Sequence, residues 1–503
     1  CEAVINPLTA TLFPDNKTHW LNILHAGWPL GLVLGAGIVL GFGQSAEPIR
    51  WEIKLGVFLV PVLIYGLLMF GKTFPESEAT TAGVSMSESM KTIGLVGFAL
   101  VAGLLGLLLT NEIPPLLKPE NGEAAPWHKW VGWGAGAALL VVFWVATKFA
   151  IGSIIIAFIY LMHALVGYVE LGTDSWITNI TTRVLANETN ALLAFIWTNV
   201  LMCFLRFFAG PIVHKINPVG LLFVSAVLGT LGLWLLGQNF TNSVWPWMAA
   251  VTVYALGKTF YWPTLLGVIS ERFPKGGALA LGISGGVGMM CAGLIGAPGI
   301  GYKQDYFAVE KLKASDGTAT YDRYMARGED GKPSTKPFPV LTLAAPDKFT
   351  PIAGLDNAKF GVLKDHTAKL DAQEKKAKGE KYKEDALTTT LEKDLATLKK
   401  NEEAGKPVEA KLKKNLEDLQ AWWLKDGLPN YATDKEKLMD ADLYGSKQAL
   451  LYTAIVPAIL AVGFLLLILY FAATGGYKVI HLEAPRPYDP HRNVGAPAEH
   501  WGR

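Results

Sequence analysis

The stretch Gly167–Lys215 reads GYVELGTDSWITNITTRVLANETNALLAFIWTNVLMCFLRFFAGPIVHK and places charged side chains in apolar sequence of membrane length. One apolar helix is predicted to enter the stretch from Ile151, and a second is predicted to run through it from about Asn190. An ionisable side chain at bilayer depth costs roughly 2.5–3.5 kcal/mol or more unless it faces a polar interior. The stretch therefore predicts a helical membrane protein that keeps polar groups inside its bundle.

The two predicted helices carry five candidate functional side chains: His163, Glu170, Asp174, Asn199 and Arg206. His163, Glu170 and Asp174 follow one another at steps of seven and four residues, so they share one helix face. Two interpretations of Asp174 and Arg206 stay open, because a charge near the membrane–water interface costs little and can simply anchor a helix end. For Glu170, which lies deeper in its helix, we favour a functional role.

The composition is that of a polytopic membrane protein, since 51% of the 503 residues are hydrophobic and 17% are charged. The net charge of +2 gives no reason to expect nucleic acid as a partner. The three cysteines (Cys1, Cys203 and Cys291) show no CxxC or Cys/His spacing, so neither a disulfide framework nor a zinc site is expected. Gly-x-Ser-x-Gly and HExxH motifs are absent from the sequence, and we expect no enzymatic activity, metal or cofactor.

The hydropathy pattern predicts ten apolar membrane spans, preceded by a shorter apolar stub. These spans cover residues 21–43, 51–70, 93–110, 130–149, 151–172, 190–211, 218–237, 246–269, 277–298 and 449–474. Short loops rich in Lys, Arg and His fall on one side, which the positive-inside rule makes cytoplasmic. We therefore expect a multi-pass protein of the cell inner (plasma) membrane. Cys1 is either a cut in the chain or a lipidated mature N-terminus, and the stub, too short to cross a bilayer, favours the cut.

Residues 301–448 interrupt the apolar spans with sequence rich in Lys, Glu and Asp. The first third contains several prolines and is predicted to be irregular, whereas the sequence from about Asp365 to Lys425 favours helix. Leucines at three- and four-residue steps predict a helical hairpin that turns near Gly405. The loop charges place this insert outside the cytoplasm. The Pro-rich tail after Gly475 is predicted to be disordered or loosely held.

A further group of polar and aromatic residues lies in the first span and in later helices. Asn22, His25 and Trp28 recur at three-residue steps and share one helix face. Trp176 and Trp262 are either membrane-interface anchors or stacking platforms for a sugar ring, and both interpretations stay open.

Pro263 interrupts an apolar span, and discontinuous helices near the midplane are where transporters build binding sites. Lys258 beside it is either a snorkelling cation or the partner of an acid. Charged residues at helix ends are predicted to act as gating clamps that pair differently in two states of the bundle. These are Arg206, Lys215, Glu271 and Arg272.

The order of these motifs resembles the major facilitator superfamily, and within it the fucose:proton symporter-like sugar transporters. The acid and Asn-Pro pair of that family's fourth helix are matched by Glu2, Asn6 and Pro7. Its Leu-Asn motif with a polar residue three positions on is matched by Leu21-Asn22 and His25, whereas Trp28 stands where the family has a further Asn. Motifs of its seventh, eighth and tenth helices are matched by Tyr168–Trp176, Arg206–Gly210 and Trp262–Thr264.

The resemblance implies an all-α bundle of the major facilitator type that lacks its first three helices. The implied domains are 1–70 (end of the N-terminal bundle), 71–150 (linker with two extra membrane helices), 151–300 (C-terminal bundle), 301–448 (extracytoplasmic helical insert), 449–474 (last membrane helix) and 475–503 (cytoplasmic tail). Peptide transporters of the superfamily also carry an extra helix pair between their halves, so a peptide-like substrate stays open.

The resemblance further implies a secondary active transporter in the lipid bilayer that couples a small polar solute, a sugar above all, to protons by alternating access. Glu2 and Glu170 would be the proton-coupling acids. The substrate-binding residues would be Asn6, Asn22, His25, Trp28, Asp174, Trp176, Asn199 and Trp262. The alternative is a membrane-anchored receptor or scaffold whose outer helical domain binds a partner.

Overall fold

The computed structural model describes residues 2–42, 50–116, 128–316, 318–328, 331–336, 351–382, 384–405 and 407–482. This part of the chain is almost entirely helical, apart from two-residue strands at Thr335–Lys336 and Ile352–Ala353 that pair antiparallel. Within it, eight helical segments are long and apolar enough to cross a membrane. The protein is therefore a multi-pass, all-α membrane protein.

The helices before the insert are numbered in chain order. They are α1 (Glu2–Leu12), α2 (Lys17–Phe42), α3 (Trp51–Gly56), α4 (Leu59–Met69), α5 (Glu78–Thr81), α6 (Met86–Leu116), α7 (His128–Ala146), α8 (Ile154–Gly167), α9 (Thr173–Leu185), α10 (Glu188–Arg206), α11 (Ala209–Leu236), α12 (Val244–Lys258), α13 (Tyr261–Arg272), α14 (Gly277–Cys291) and α15 (Ala297–Asp316). Two π-helical segments, Tyr168–Gly172 and Ala292–Gly296, join α8 to α9 and α14 to α15.

The helices of the insert and the last span continue this numbering. They are α16 (Ala319–Tyr324), α17 (Asn357–Ala377), α18 (Thr390–Glu403), α19 (Ala410–Trp422), α20 (Tyr431–Thr453) and α21 (Ile455–Ala473). A third π-helical segment, Trp423–Gly427, follows α19.

Two of the ten predicted spans differ from the eight long ones. The span predicted at 130–149 is a shorter apolar helix, Trp130–Ala146. The span predicted at 246–269 is divided into α12 and α13, because Pro263 has no N–H with which to continue the helical hydrogen bonds. The break at Pro263 is thus where the sequence places it.

The bundle is held by close helix pairs around a core that includes Trp247, Tyr160 and Tyr261. α2 packs on α10 and α13, α1 packs on α14, and the α6–α7 hairpin packs on α8 and α14. A Cβ at Gly167 would overlap the carbonyl oxygen of Gly288, so α8 and α14 meet backbone to backbone. By contrast, α4 has no buried residue.

The insert has a hydrophobic core of its own, which includes Leu312, Tyr324, Leu363 and Leu438. The predicted hairpin is present as α18 and α19, and Gly405 adopts a positive φ of 65° after α18. Residues 301–316 were assigned to an irregular region, which is wrong, because they extend α15 out of the bundle and pack along α20. Much of the remaining proline-rich region lies outside the described residues.

Candidate functional site

Glu170 and Arg206 form a buried ion pair in the middle of the bundle. The π-helical segment Tyr168–Gly172 presents Glu170, and Arg206 is the last residue of α10. Arg206 Nη2 donates to Glu170 Oε1 at 3.2 Å, and the two side chains are 1% and 4% exposed. Arg206 thus lies at a helix end, as predicted, but its side chain points into the bundle rather than to the membrane surface.

Two further hydrogen bonds join Arg206 to backbone carbonyl groups. Its Nε donates to the carbonyl of Thr259 at 2.8 Å, and its Nη1 donates to the carbonyl of His25 at 2.5 Å. Each carbonyl lies four residues before a proline, Pro263 and Pro29, which has no N–H to pair with it. The prolines therefore leave two acceptors free inside apolar helices, and one guanidinium takes both. Arg206 in this way joins α2, the α8–α9 segment and the α12–α13 break.

A second ion pair lies one helical turn from the first. The Lys258 ammonium donates to Asp174 Oδ1, and the Lys258 side chain is only 1% exposed. Lys258 also lies 5.6 Å from the centre of the Tyr254 ring. Lys258 is therefore the partner of an acid and not a snorkelling cation, and Asp174 serves this pair rather than a helix end. Four charged groups from three helical elements thus balance one another at membrane depth.

A small cavity opens beside the first ion pair, and it is lined by His25, Trp28, Glu170, Arg206 and Trp262 among others. It adjoins a wider recess between α2 and α14 that shares His25 and Trp28. Glu170 Oε2 and Trp262 Nε1 are buried, and neither has a hydrogen-bond partner within the described residues. Two residues of the cavity wall therefore keep one unused acceptor and one unused donor beneath its surface.

His163 lies behind Trp262 and supports it. The two rings meet edge to face with their centres 4.5 Å apart, and His163 Nδ1 lies 2.5 Å from Ser284 Oγ on α14. A Cβ at Gly288 would approach both rings, so this glycine leaves them the space they occupy. The indole plane of Trp262 is thus fixed from the side away from the cavity.

The predicted amide side chains hold the first helices against the site. Asn6 Oδ1 lies 3.0 Å from His25 Nε2, which joins α1 to α2. Asn22 Nδ2 donates to Thr264 Oγ1 at 3.1 Å and joins α2 to α13. Asn22 Oδ1 is buried without a partner among the described residues. Glu2 begins α1, but its side chain lies outside the described part of the chain.

Two predicted site residues lie in contacts away from the cavity wall. Trp176 Nε1 donates to the carbonyl of Ala297 at 2.8 Å and fastens α9 to α15. Asn199 is buried in α10, where its Nδ2 donates to the carbonyl of Phe195 in the same helix at 2.9 Å. Both side chains are therefore engaged in helix contacts, and the geometry brings neither to the cavity.

The predicted gating residues do not form one cluster. Lys215 is exposed, and Arg206 belongs to the buried site described above. Glu271 at the end of α13 is 5% exposed, and its Oε1 accepts from the N–H of Thr18 at 3.1 Å and from the Thr18 hydroxyl at 2.6 Å. Lys17 pairs with Glu78 and donates to the carbonyl of Ser270 at 3.3 Å. These contacts close the bundle where α2 begins and α13 ends, and we call this region the gate end.

The pattern of the sequence did not reveal the carbonyl acceptors of His25 and Thr259, nor the contacts of Glu78 at the gate end. The signal for the carbonyls was present, because Pro29 and Pro263 each follow one of them by four residues. Glu78 carried no such signal, since its partner Lys17 lies 61 positions away along the chain.

Comparison of the chain with protein-family models, with curated proteins and with solved structures finds no match.

Proposed function

We propose that the protein is a secondary active transporter of the major facilitator type, which moves a small polar solute, a sugar above all, together with protons. The observation that carries this proposal is the buried Glu170–Arg206 pair on the wall of a cavity in a multi-pass bundle. A membrane protein keeps ionisable groups at this depth mainly along ion and substrate pathways. The proposed location is the inner (plasma) membrane, for which the positive charge of the short loops is the support.

The pair has the chemistry that proton coupling requires. With Glu170 ionised, its charge is balanced by Arg206, which also holds the carbonyls of His25 and Thr259. A proton on Glu170 removes one charge from the pair and weakens the link between the α8–α9 segment and α10. The hold of Arg206 on α2 then changes with the protonation of Glu170. Glu2, on the resemblance of its motif, is the second proton-coupling acid of the proposal.

The cavity favours a neutral hydroxylated solute. In a state of the bundle that uncovers these two atoms, one sugar hydroxyl donates to Glu170 Oε2 and another accepts from Trp262 Nε1, since neither atom has a partner among the described residues. Trp28 and Trp262 offer apolar faces of the kind on which sugar rings pack. A peptide needs counter-charges for both termini, whereas the two cations near the cavity, Arg206 and Lys258, already have carboxylate partners. The same balance argues against a strongly charged substrate.

Alternating access gives a role to the gate end. The contacts of Glu271 with Thr18 and of Lys17 with Glu78 join α2 to α13 and to the linker helix α5. In the proposed cycle these contacts hold that end closed while the cavity exchanges solute at the other end. They part when the bundle changes state.

Uptake by reconstituted protein tests the proposal. Liposomes containing the protein are offered labelled neutral sugars, dipeptides and carboxylates under an inward proton gradient. We expect accumulation of at least one neutral sugar, and its loss with retained solute exchange in Glu170→Gln. The control is Glu188→Gln, an exposed glutamate at the start of α10. Accumulation that Glu170→Gln leaves unchanged would remove this acid from the mechanism.

The separate core of the insert supports the receptor or scaffold alternative. Replacing residues 318–430 by a short flexible linker separates the two functions, because α15 and α20 on either side pack together and are retained. Transport that survives this deletion argues against the scaffold, and loss of a bound partner with no transport in either form argues for it.

A further inference from the structure

The chain turns sharply after the last helix and returns to the bundle. Gly475 and Gly476 have φ values of 93° and 90°, a region that side chains other than glycine rarely adopt. The N–H of Gly476 donates to the carbonyl of Phe471 at 2.7 Å and closes the end of α21. The tail was predicted to be disordered or loosely held, but the residues that follow this turn, Tyr477–Leu482, are bound to the gate end. We call them the strap; residues 483–503 lie outside the described chain.

The strap contacts the end of α13 through backbone and side chain. Tyr477 donates its hydroxyl hydrogen to Glu271 Oε2 at 2.6 Å, and the N–H of Ile480 donates to the carbonyl of Glu271 at 2.8 Å. Arg272 Nη1 donates to the carbonyl of Lys478 at 2.6 Å, and its guanidinium lies over the Phe471 ring at 4.8 Å. Two adjacent charged residues of α13 are thus used to hold a segment that lies more than 200 positions further along the chain.

The strap also reaches the linker and, through two shared acids, the first full helix. The N–H of Leu482 donates to Glu78 Oε1 at 3.3 Å, while the other oxygen of Glu78 pairs with Lys17. Glu271 is shared in the same way, because one oxygen takes Tyr477 and the other takes Thr18. Each carboxylate therefore binds the strap and α2 at once, and a small cavity lies beside Lys17, Glu78 and Ser270.

We propose that the strap is an internal latch that holds the gate end closed, and that its release is a required step in opening this end. The strap binds Glu271 of α13 at one end and Glu78 of α5 at the other, and Glu78 also pairs with Lys17 of α2. Movement of α13 away from α5 and α2 therefore has to break the strap bonds at one of these two ends. Loss of the strap bonds removes a link between α13 and α5, and helices joined by fewer hydrogen bonds cost less to separate. For its part in transport the latch rests on the proposed function, but its effect on the gate end is measured without transport.

The test is the reactivity of a cysteine introduced at the gate end. Ala10 is buried on α1 and lines the gate-end cavity. Ala10→Cys is made in the full chain with its three native cysteines replaced, and labelling by a membrane-impermeant maleimide is followed in inverted vesicles. Tyr477→Phe, which removes only the hydroxyl that binds Glu271, is expected to raise the labelling rate roughly tenfold, the factor for one hydrogen bond to a charged group. Tyr470→Phe, an exposed position on α21, is the matched control and is expected to leave the rate unchanged.

A proline pair provides a second comparison that spares the side chains of the gate. Ile480→Pro removes the N–H that binds the carbonyl of Glu271, whereas Val479→Pro changes the preceding exposed residue. Faster labelling in Ile480→Pro than in Val479→Pro supports the latch. Equal labelling in Tyr477→Phe, Ile480→Pro and the parent chain overturns it, even when uptake is intact. Faster labelling in a protein that transports nothing leaves the latch standing and refutes the proposed function instead.

Discussion

Replacing Glu170 by Gln leaves Arg206 as an uncompensated charge in the interior of the bundle. Arg206 keeps its bonds to the carbonyls of His25 and Thr259, but it loses the only carboxylate within hydrogen-bond distance among the described residues. Breaking one side of a buried ion pair costs about 3–5 kcal/mol, because the remaining charge stays out of water without its partner. A shift of this size changes the folded-to-unfolded ratio by more than two powers of ten.

The double variant Glu170→Gln/Arg206→Met has an expected outcome of its own. Arg206→Met alone leaves the buried carboxylate of Glu170 without its partner, so it is expected to cost a similar 3–5 kcal/mol. With both changes neither residue of this pair is charged. The loss of unfolding free energy is then expected to be much smaller than the sum of the two single losses. The assay is denaturant unfolding in mixed micelles, with Glu188→Gln as the exposed control. A double variant whose loss equals the sum, or a Glu170→Gln protein within about 1 kcal/mol of the parent, would refute the account of this pair.

Three further outcomes follow from the same contacts. Pro263→Ala supplies an N–H that competes with Arg206 for the carbonyl of Thr259, so solute uptake is expected to fall several-fold. The control Pro246→Ala, at the start of α12, is expected to leave uptake near the parent value. Lys258→Met leaves Asp174 unpaired and is expected to lower the unfolding free energy by about 3 kcal/mol, and a second change, Asp174→Asn, should restore most of that loss in the same unfolding assay. In the insert, hydrogen bonds from Lys369 and from the N–H of Thr389 hold the pKa of Glu392 below its ordinary value of 4.5. The start of α18 is therefore stabilised above that pH and loses this stabilisation as the pH falls below it. Amide exchange of α18 between pH 6 and 3.5 should show the loss in the parent and not in Glu392→Gln.

The sequence predicted which segments span the membrane better than it predicted where individual side chains point. Hydropathy placed nearly all the spans, and Pro263 marked the break between α12 and α13. Hydropathy does not show which way a side chain at a helix end points. The sequence is therefore compatible with Arg206 as an interface anchor and with Arg206 as a functional group. In the structure the Arg206 side chain points into the bundle, where it binds one carboxylate and two backbone carbonyls that prolines leave without a helical partner.

Contacts between distant parts of the chain account for the rest of what the sequence did not reveal. The strap begins a tail whose later residues are polar and rich in proline, a composition that is typical of a loose tail. Its partners Glu271 and Glu78 lie 206 and 404 positions away from Tyr477 and Leu482, and local pattern carries no information about such pairs. The insert shows the opposite case, because its hairpin depends on leucines a few residues apart and was predicted from them.

Coupling of solute to protons by this bundle is measured as proton movement that the solute causes. Liposomes containing the protein and a trapped pH dye are given a candidate sugar with no ion gradient present. We expect the interior to acidify when the sugar enters with protons. We expect Glu170→Gln to abolish this signal while labelled sugar still exchanges across the membrane. Sugar entry with no pH change in the parent protein would contradict proton coupling, and a pH change that persists in Glu170→Gln would contradict the role given to this buried pair.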